Sequence, residues 1–155
     1  MKLICNPNTF NINEMIASVA NFDFTKEMIS SSIRNPSKTP LDSSLEMIIS
    51  QKSFFPLLPS FLSSSENDKN VILEYSKLKD LRINEIPDLI FTTSEMKTFV
   101  KKVNSTLFVN IGNFYKGVKL GNMAKIMIFS PKVNKNNEII ILINLSSFIQ
   151  KIVIY

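Results

Sequence analysis

The stretch that decides the fold is residues 87–110, which read PDLIFTTSEMKTFVKKVNSTLFVN. Its first part, Pro87–Phe91, is an apolar run behind a proline and an aspartate, which predicts a strand that enters the core. Thr106–Asn110 at the other end predicts a second strand. Between the two, a threonine and a glutamate at capping-box spacing predict a short helix over Ser94–Phe99. The centre of the chain is therefore predicted to run from strand to short helix to strand.

Two longer helices are predicted before this stretch. Thr25–Arg34 has a threonine that can cap its start and an Asn-Pro pair at its end. Leu41–Lys52 places its aliphatic residues on one helical face, and Ser43 with Glu46 fits a capping box. The early part of the chain is therefore predicted to supply the helices.

The remaining pattern is that of β-strands. Alternation and β-branched runs predict strands at Phe10–Asn13, Met15–Val19, Ala124–Phe129, Glu138–Leu145 and Phe148–Tyr155. The first two are close enough to form a hairpin. The predicted class is α/β, mixed α+β, with helices early and a strand-rich C-terminus.

The composition describes a folded chain with a mild positive charge. Of the 155 residues, 45% are hydrophobic and 20% are charged, so the chain is expected to form one folded domain. Eighteen basic and thirteen acidic residues give a net charge of +5, which favours acidic partners but falls short of a nucleic-acid-binding tail. The most apolar stretch, Ile139–Tyr155, is too polar for a membrane-spanning helix, and no membrane association is predicted.

The residue types that usually carry catalysis are scarce. The chain has no histidine, which removes the commonest general base and zinc ligand. Cys5 lies in an apolar run and is expected to be a buried structural residue. Gly112, Gly117 and Gly121 are spaced too widely for a phosphate-binding loop and predict turns. Asp88 is the best-placed carboxylate for a metal ion, although acids at strand ends more often cap or face solvent. No cofactor is predicted.

Two segments are candidate contact surfaces. Lys97, Lys101 and Lys102 form a basic stretch, which is either an ordinary solvated face or a strip that binds phosphates or a partner. Its neighbouring rings, Phe99 and Phe108, are expected to point into the core. The apolar segment 54–59 is either covered inside the domain or a docking surface, and the sequence leaves both open. Its candidate contact residues are Phe54, Phe55, Leu57 and Leu58.

The segments Pro87–Lys101 and Val109–Gly117 resemble the B subunits of DNA polymerase alpha. In that family a Pro-Asp strand leads to a Ser-Glu-Leu helix start and a Phe-Val-Lys end, and an Asn-Pro-Gly-Arg turn then leads to Lys-Gly. Cys5-Asn6-Pro7 and Gln51–Leu57 resemble further landmarks of the family in the expected order. The matching turn residues are Asn110, Gly112, Lys116 and Gly117, whereas Ile111 replaces the proline and Asn113 the arginine.

The resemblance implies half of a calcineurin-like phosphoesterase sandwich that has lost its chemistry. Active relatives carry Gly-His-x-His directly after the Pro-Asp strand, where this chain has Thr93, Ser94, Glu95 and Met96. A two-metal phosphoesterase needs nitrogen and oxygen ligands around paired ions, and neither serine nor methionine replaces imidazole for a hard ion. The resemblance therefore implies a protein that is not an enzyme.

The resemblance also implies a domain organisation. Residues 1–155 are expected to be the C-terminal part of a single inactivated phosphoesterase-like domain, without its upstream half and without an oligonucleotide/oligosaccharide-binding (OB) domain. Such a chain is expected to be a fragment or a truncated gene product whose first strand lacks sheet neighbours. Purified alone, it is expected to aggregate or to give weak near-UV circular dichroism.

The implied function is that of a non-catalytic accessory and scaffold subunit of the DNA polymerase alpha–primase complex. Such a subunit is expected to act in the nucleus, in the initiation of DNA replication. Its expected partners are the C-terminal domain of the catalytic subunit and, through it, primase, with DNA bound indirectly or weakly. Three alternatives stay open: a B subunit of DNA polymerase delta or epsilon, a residual carboxylate-dependent metallophosphoesterase, and direct nucleic-acid binding by the lysines.

Overall fold

The fold was determined as a computed structural model. The structure describes residues 5–31, 36–57, 75–112, 115–116, 119–120, 123–129, 139–145 and 148–154. The predicted class is confirmed, because the α-helices come first and strands fill the later part of the chain. The predictions for Leu58, Arg34 and Gly117 fall outside the described residues.

A five-stranded mixed sheet forms the centre of the molecule, in the order β1-β2-β3-β5-β4. The strands are β1 (Asn8–Ile12), β2 (Met15–Ala20), β3 (Leu89–Thr92), β4 (Phe99–Val103) and β5 (Thr106–Asn110). The three inner strands β2, β3 and β5 run parallel, and the outer strands β1 and β4 pair with them antiparallel. Both hairpins turn on an asparagine with a φ of 54°, Asn13 and Asn104, because asparagine tolerates the left-handed region better than most residues.

One face of this sheet packs against two helices, α1 (Phe24–Ser31) and α2 (Pro40–Gln51). The core on this side contains Phe24, Met28, Leu45, Ile48 and Phe108, all fully buried. A 3₁₀ helix, Tyr75–Leu81, follows. The predicted helical face of α2 is confirmed, since Leu45, Ile48 and Ile49 are buried.

The opposite face of the sheet is covered by strands. Met15, Ala17, Leu89, Leu107 and Val109 form its buried cluster, against which Ala124 and Ile126 pack. These last two residues belong to β8 (Ala124–Phe129), which joins β9 (Ile139–Leu145) and β10 (Phe148–Ile154) in a three-stranded antiparallel sheet. A small hairpin is formed by β6 (Tyr115–Lys116) and β7 (Lys119–Leu120). The predicted bounds of β8 are confirmed, and those of β9 and β10 are confirmed to within a residue.

The helix starts differ from their predictions because other residues supply the caps. Asp23, not Thr25, caps α1, since its Oδ1 accepts the backbone N–H of Lys26 at 3.1 Å. Thr39 is the N-cap of α2, and its hydroxyl accepts the backbone N–H of Asp42 at 3.2 Å. Proline at the first position of α2 suits this start, because a proline needs no hydrogen-bond partner there.

Two further predictions are wrong. Residues 94–98 do not form a helix, and Phe99, its predicted last residue, begins β4. Cys5 is exposed, not buried, and it precedes the first residue of β1 by three positions. No helix among the described residues is long and apolar enough to cross a membrane.

Candidate functional site: the carboxyl edge of the sheet and the lysine strand

The three parallel strands end at one edge of the sheet, which we call the carboxyl edge. In open α/β sheets, ligands bind outside the carboxyl ends of the strands. Here β2 leads to Asn21 and Asp23, β3 leads to residues 93–96, and β5 ends in Asn110. The positions that the resemblance assigns to lost histidine ligands, Ser94 and Met96, therefore lie at the edge where a phosphoesterase site would be expected.

Asn110 joins two of these loops. The side chain of Asn110 is fully buried, and its Oδ1 accepts the backbone N–H groups of Ser94 (2.9 Å) and Gly112 (3.1 Å). Its Nδ2 donates to the carbonyl oxygens of Met96 (3.4 Å) and Lys97 (3.3 Å). Gly112 has a φ of 73°, a conformation that glycine adopts at no steric cost. The amide of Asn110 thus replaces backbone pairing across the loop that was predicted to be helical.

Asp23 and Asn21 join the other pair of loops. Asp23 Oδ2 accepts the backbone N–H of Glu95 at 3.0 Å while its Oδ1 caps α1. Asn21 Oδ1 accepts the Thr93 hydroxyl at 2.8 Å. An exposed ion pair between Lys26 and Glu95, 3.3 Å long, adds little, because both side chains are well solvated. Asn21 and Asp23 therefore tie the loop after β2 to the loop after β3.

The arrangement at the carboxyl edge suits rigidity better than metal chemistry. Lone pairs of Asn110 and Asp23 that could face a cation accept backbone N–H groups instead. Among the described residues, no group of three or more histidine, cysteine, aspartate or glutamate side chains could hold a metal ion. The side chains available there can orient loops and accept hydrogen bonds, but they do not form the donor set of a two-metal site.

Asp88, the predicted carboxylate ligand, lies at the other end of β3 from the carboxyl edge. Its Oδ2 accepts the backbone N–H of Ile16 at 2.9 Å, and its own N–H donates to the Ile16 carbonyl at 2.9 Å. Its carbonyl accepts from Leu107 at 2.8 Å. Asp88 therefore caps β2 and sets the register of the parallel strands, which is the structural alternative that the sequence left open.

The predicted lysine stretch lies on β4 and just before it, and we call this part of the chain the lysine strand. Its three lysines differ in whether their charges are paired. Lys101 Nζ lies 2.5 Å from Asp42 Oδ1, so its charge is paired with the first turn of α2. The hydrogen bond from Lys101, followed by that from Thr39, holds the pKa of Asp42 below its ordinary value. Lys97 and Lys102 are exposed, and neither forms an ion pair with a described carboxylate. Two of the three predicted lysines are thus available to a partner.

The described residues of the apolar segment 54–59 also differ in how far they are buried. Phe54 and Phe55 are 1% and 3% exposed and belong to the helical core, so for these rings the reading of a covered segment applies. The bridge between Ser53 and Arg82 and the hydrogen bond from the Phe54 N–H to the Leu81 carbonyl (2.9 Å) hold the segment beside the end of the 3₁₀ helix. Leu57 is half-buried against the same core. These placements remove the two aromatic side chains from the surface that a partner could reach.

A cleft of about 530 Å³ lies beside β1, away from the carboxyl edge. Exposed Cys5 lines it together with Lys79, Asp80, Arg82 and Glu85. Because the two positive charges are matched by two negative ones, the cleft has no preference for an anion or a cation. It carries no arrangement that indicates a reaction.

Sequence reasoning missed Asn21 and Asp23. Asn21 follows directly on the end of β2, as Thr93 follows β3, and Asp23 lies two residues further on. The signal was present as two polar side chains after a strand, but it becomes meaningful only once β2 and β3 are known to be parallel. Asn110 and Gly112 were singled out through the family turn, and the structure brings them together. Lys116 lies in β6, and its side chain is outside the described part.

The family model and the curated relatives that match this chain all carry the name of a DNA polymerase B subunit. A family model for the B subunit of DNA polymerase alpha/epsilon matches residues 1–101. The DNA polymerase alpha B subunit of Schizosaccharomyces pombe is 29% identical over 139 residues, which cover 88% of this chain and 24% of that protein. The protein of the same name from Saccharomyces cerevisiae is 23% identical over 158 residues, covering 84% of this chain and 22% of that protein. The chain thus spans less than a quarter of the length of these relatives.

Among solved structures, the chain is similar to wild-type Vps29 complexed with Zn²⁺ from Entamoeba histolytica. The TM-score is 0.42 at 12% sequence identity, and the match covers 99% of this chain and 62% of that chain.

Proposed function

We propose that this chain, which belongs to the family of DNA polymerase alpha/epsilon B subunits, works as part of a non-catalytic accessory subunit of DNA polymerase alpha. The relatives it matches over most of its length carry the name of that subunit. In this role the chain binds the C-terminal domain of the catalytic subunit and, through it, helps to hold primase at sites of replication initiation in the nucleus.

The observation that supports a scaffold is that polar side chains of the carboxyl edge are already used in hydrogen bonds between its own loops. In a chain without histidine, the loops after β2, β3 and β5 are fastened to one another by Asn21, Asp23 and Asn110. A rigid edge of this kind preserves the shape of a hydrolase framework without its metal ligands. Rigid surfaces bind partners with a small entropic cost of ordering.

Co-purification tests the partner assignment. The 155-residue chain is co-expressed with the C-terminal domain of the catalytic subunit of DNA polymerase alpha and, in parallel, with those of delta and epsilon. Retention by the alpha subunit alone is the expected result. Retention by delta or epsilon instead assigns the chain to that polymerase, and retention by none removes the proposal.

A phosphodiesterase assay tests the non-catalytic assignment. The chain is incubated with Mn²⁺ and a chromogenic phosphodiester, together with the variants Asp23→Asn and Asp88→Asn. Asp23 lies at the carboxyl edge and Asp88 at the other end of β3, so they are matched carboxylates at opposite ends of the sheet. We expect no turnover from any of the three. Turnover that is lost in Asp23→Asn and kept in Asp88→Asn would overturn the assignment.

A further inference from the structure

The strand β4 is an edge of the central sheet. Within the described residues it pairs with β5 on one side only, from Phe99 opposite Asn110 to Val103 opposite Thr106. An edge strand presents a row of backbone N–H and C=O groups that can pair with another chain. Five residues of strand extend over roughly 17 Å, enough for a short extended segment to pair along it.

The charge around β4 is positive, and only part of it is paired with the carboxylates that the structure describes. Lys97 and Lys102 are exposed and pair with no described carboxylate, whereas the charge of Lys101 is taken by Asp42. The opposite edge strand, β1, reads NTFNI and has no charged residue. Of the two edges of the central sheet, β4 is therefore the one whose charge selects an acidic partner.

Nucleic acid suits this strand less well than protein. Binding of single strands needs aromatic rings on which bases stack, beside several free cations. Phe108 is fully buried and Phe99 packs against the helical core, so neither ring offers a stacking surface. An added peptide strand needs only the free backbone edge and a few opposite charges.

We propose that β4 docks an extended acidic segment of a partner protein, which adds as a strand to the edge of the central sheet. Carboxylates of that segment lie opposite Lys97 and Lys102, and its backbone pairs with the side of residues 99–103 to which no described strand is bonded. The inference rests on the proposed function in that the catalytic subunit of the polymerase is the expected source of the segment. Lysines on an edge strand also discourage aggregation, but that role alone involves no binding.

The test combines charge reversal with hydrogen exchange. The variant Lys97→Glu/Lys102→Glu is compared with Lys77→Glu/Lys79→Glu, which makes the same charge change at exposed lysines of the 3₁₀ helix. The probes are the catalytic subunit of DNA polymerase alpha, a short peptide that alternates pairs of valines with pairs of glutamates and so presents carboxylates on both faces of a strand, its valine–lysine counterpart and oligothymidylate. Affinity is measured by titration, and protection of residues 99–103 by hydrogen exchange with mass spectrometry.

We expect the polymerase subunit and the acidic peptide to protect residues 99–103. Reversal at Lys97 and Lys102 should weaken their binding about 5- to 30-fold, as two surface charge pairs would, and the control variant should change it less than about twofold. If the complex with the polymerase subunit forms without protection of β4, or forms equally well with the variant and the wild type, the inference is overturned and the proposed function stands.

The remaining outcomes separate the two proposals further. If the polymerase subunit fails to bind while the acidic peptide protects β4 in a lysine-dependent way, the proposed function fails and the docking strand stands. Protection by oligothymidylate without protection by the acidic peptide overturns the inference in favour of nucleic acid. Equal binding of the acidic and basic peptides overturns the role assigned to charge.

Discussion

Replacement of Asn110 by alanine should destabilise the chain more than any other single change at the carboxyl edge. The side chain makes four hydrogen bonds, two as an acceptor from Ser94 and Gly112 and two as a donor to Met96 and Lys97. Ser94 is 1% exposed and Gly112 is buried, so water cannot easily take over the two N–H groups. An orphaned buried donor costs about 1–3 kcal/mol.

The expected cost follows from these contacts. Two orphaned donors, less some relaxation of the loop, lower the free energy of unfolding by about 2–4 kcal/mol. The two longer contacts that Asn110 donates, at 3.3 and 3.4 Å, add little to this loss. For a chain of this size that loss lowers the melting temperature by roughly 4–16 °C. Urea unfolding followed by circular dichroism measures the free energy, and Asn84→Ala, at an exposed asparagine, is the matched control.

A second variant separates the acceptor contacts from the donor contacts. Asn110→Asp keeps an oxygen for Ser94 and Gly112 but turns a carboxylate toward the two carbonyl groups. An ionised carboxylate at this position would turn its second oxygen toward the carbonyl oxygens of Met96 and Lys97, so this variant should be less stable than the wild type at neutral pH. If Asn110→Ala unfolds within about 0.5 kcal/mol of the wild type, a shift typical of a neutral surface substitution, the bracing role of Asn110 is refuted.

Three further predictions concern the core and the lysine strand. Thr92→Val should be neutral or stabilising by up to about 1 kcal/mol, because the buried Thr92 hydroxyl has no hydrogen-bond partner in the described part. Thr106→Val should instead cost about 1–2 kcal/mol, because it removes a 2.7 Å hydrogen bond to the Pro87 carbonyl. Thermal melts of both variants measure the contrast. Asp42→Asn should cost about 1 kcal/mol at neutral pH through the lost pairing with Lys101. Because the folded pKa of Asp42 is lowered, its stabilisation is present above the ordinary carboxyl pKa and disappears as the pH falls through the folded value, so urea titrations of variant and wild type should converge in acid. Phe54→Ala should cost about 3–5 kcal/mol in the same urea assay, since Phe54 is a fully packed core residue, and a cost below about 1 kcal/mol would contradict its placement.

The elements that sequence predicted well are those fixed by local pattern. The alternation in residues 124–129 gave β8 its bounds, and the aliphatic face of residues 41–52 gave α2. The helix expected over 94–99 failed because a capping-box spacing is a local signal. It was overridden by Asn110, which takes the N–H of Ser94 from sixteen residues away. A contact of that separation leaves no periodic trace in the sequence.

The candidate site was harder to predict than the fold for a related reason. The parallel pairing of β2 with β3 joins residues about seventy positions apart, as the 72-residue separation of Ile16 and Asp88 illustrates. Only that pairing brings Asn21 and Asp23 beside Thr93 and Glu95. The sequence left open whether Lys101 belongs to a solvated face or to a binding strip, and its pairing with Asp42 could not be predicted because Asp42 lies on a helix predicted separately.

The carboxyl edge and the lysine strand are mechanically connected. Asn110 is the last residue of β5 and stands opposite Phe99, the first residue of β4, while its amide donates to the carbonyl of Lys97. Asn110, which fastens the loops of the carboxyl edge, therefore also helps to place the start of β4 and the residues just before it, including Lys97. If β4 docks a partner, Asn110 acts on that docking without touching the partner, because the hydrogen bonds that it accepts from Ser94 and Gly112 hold the loop that leads into β4.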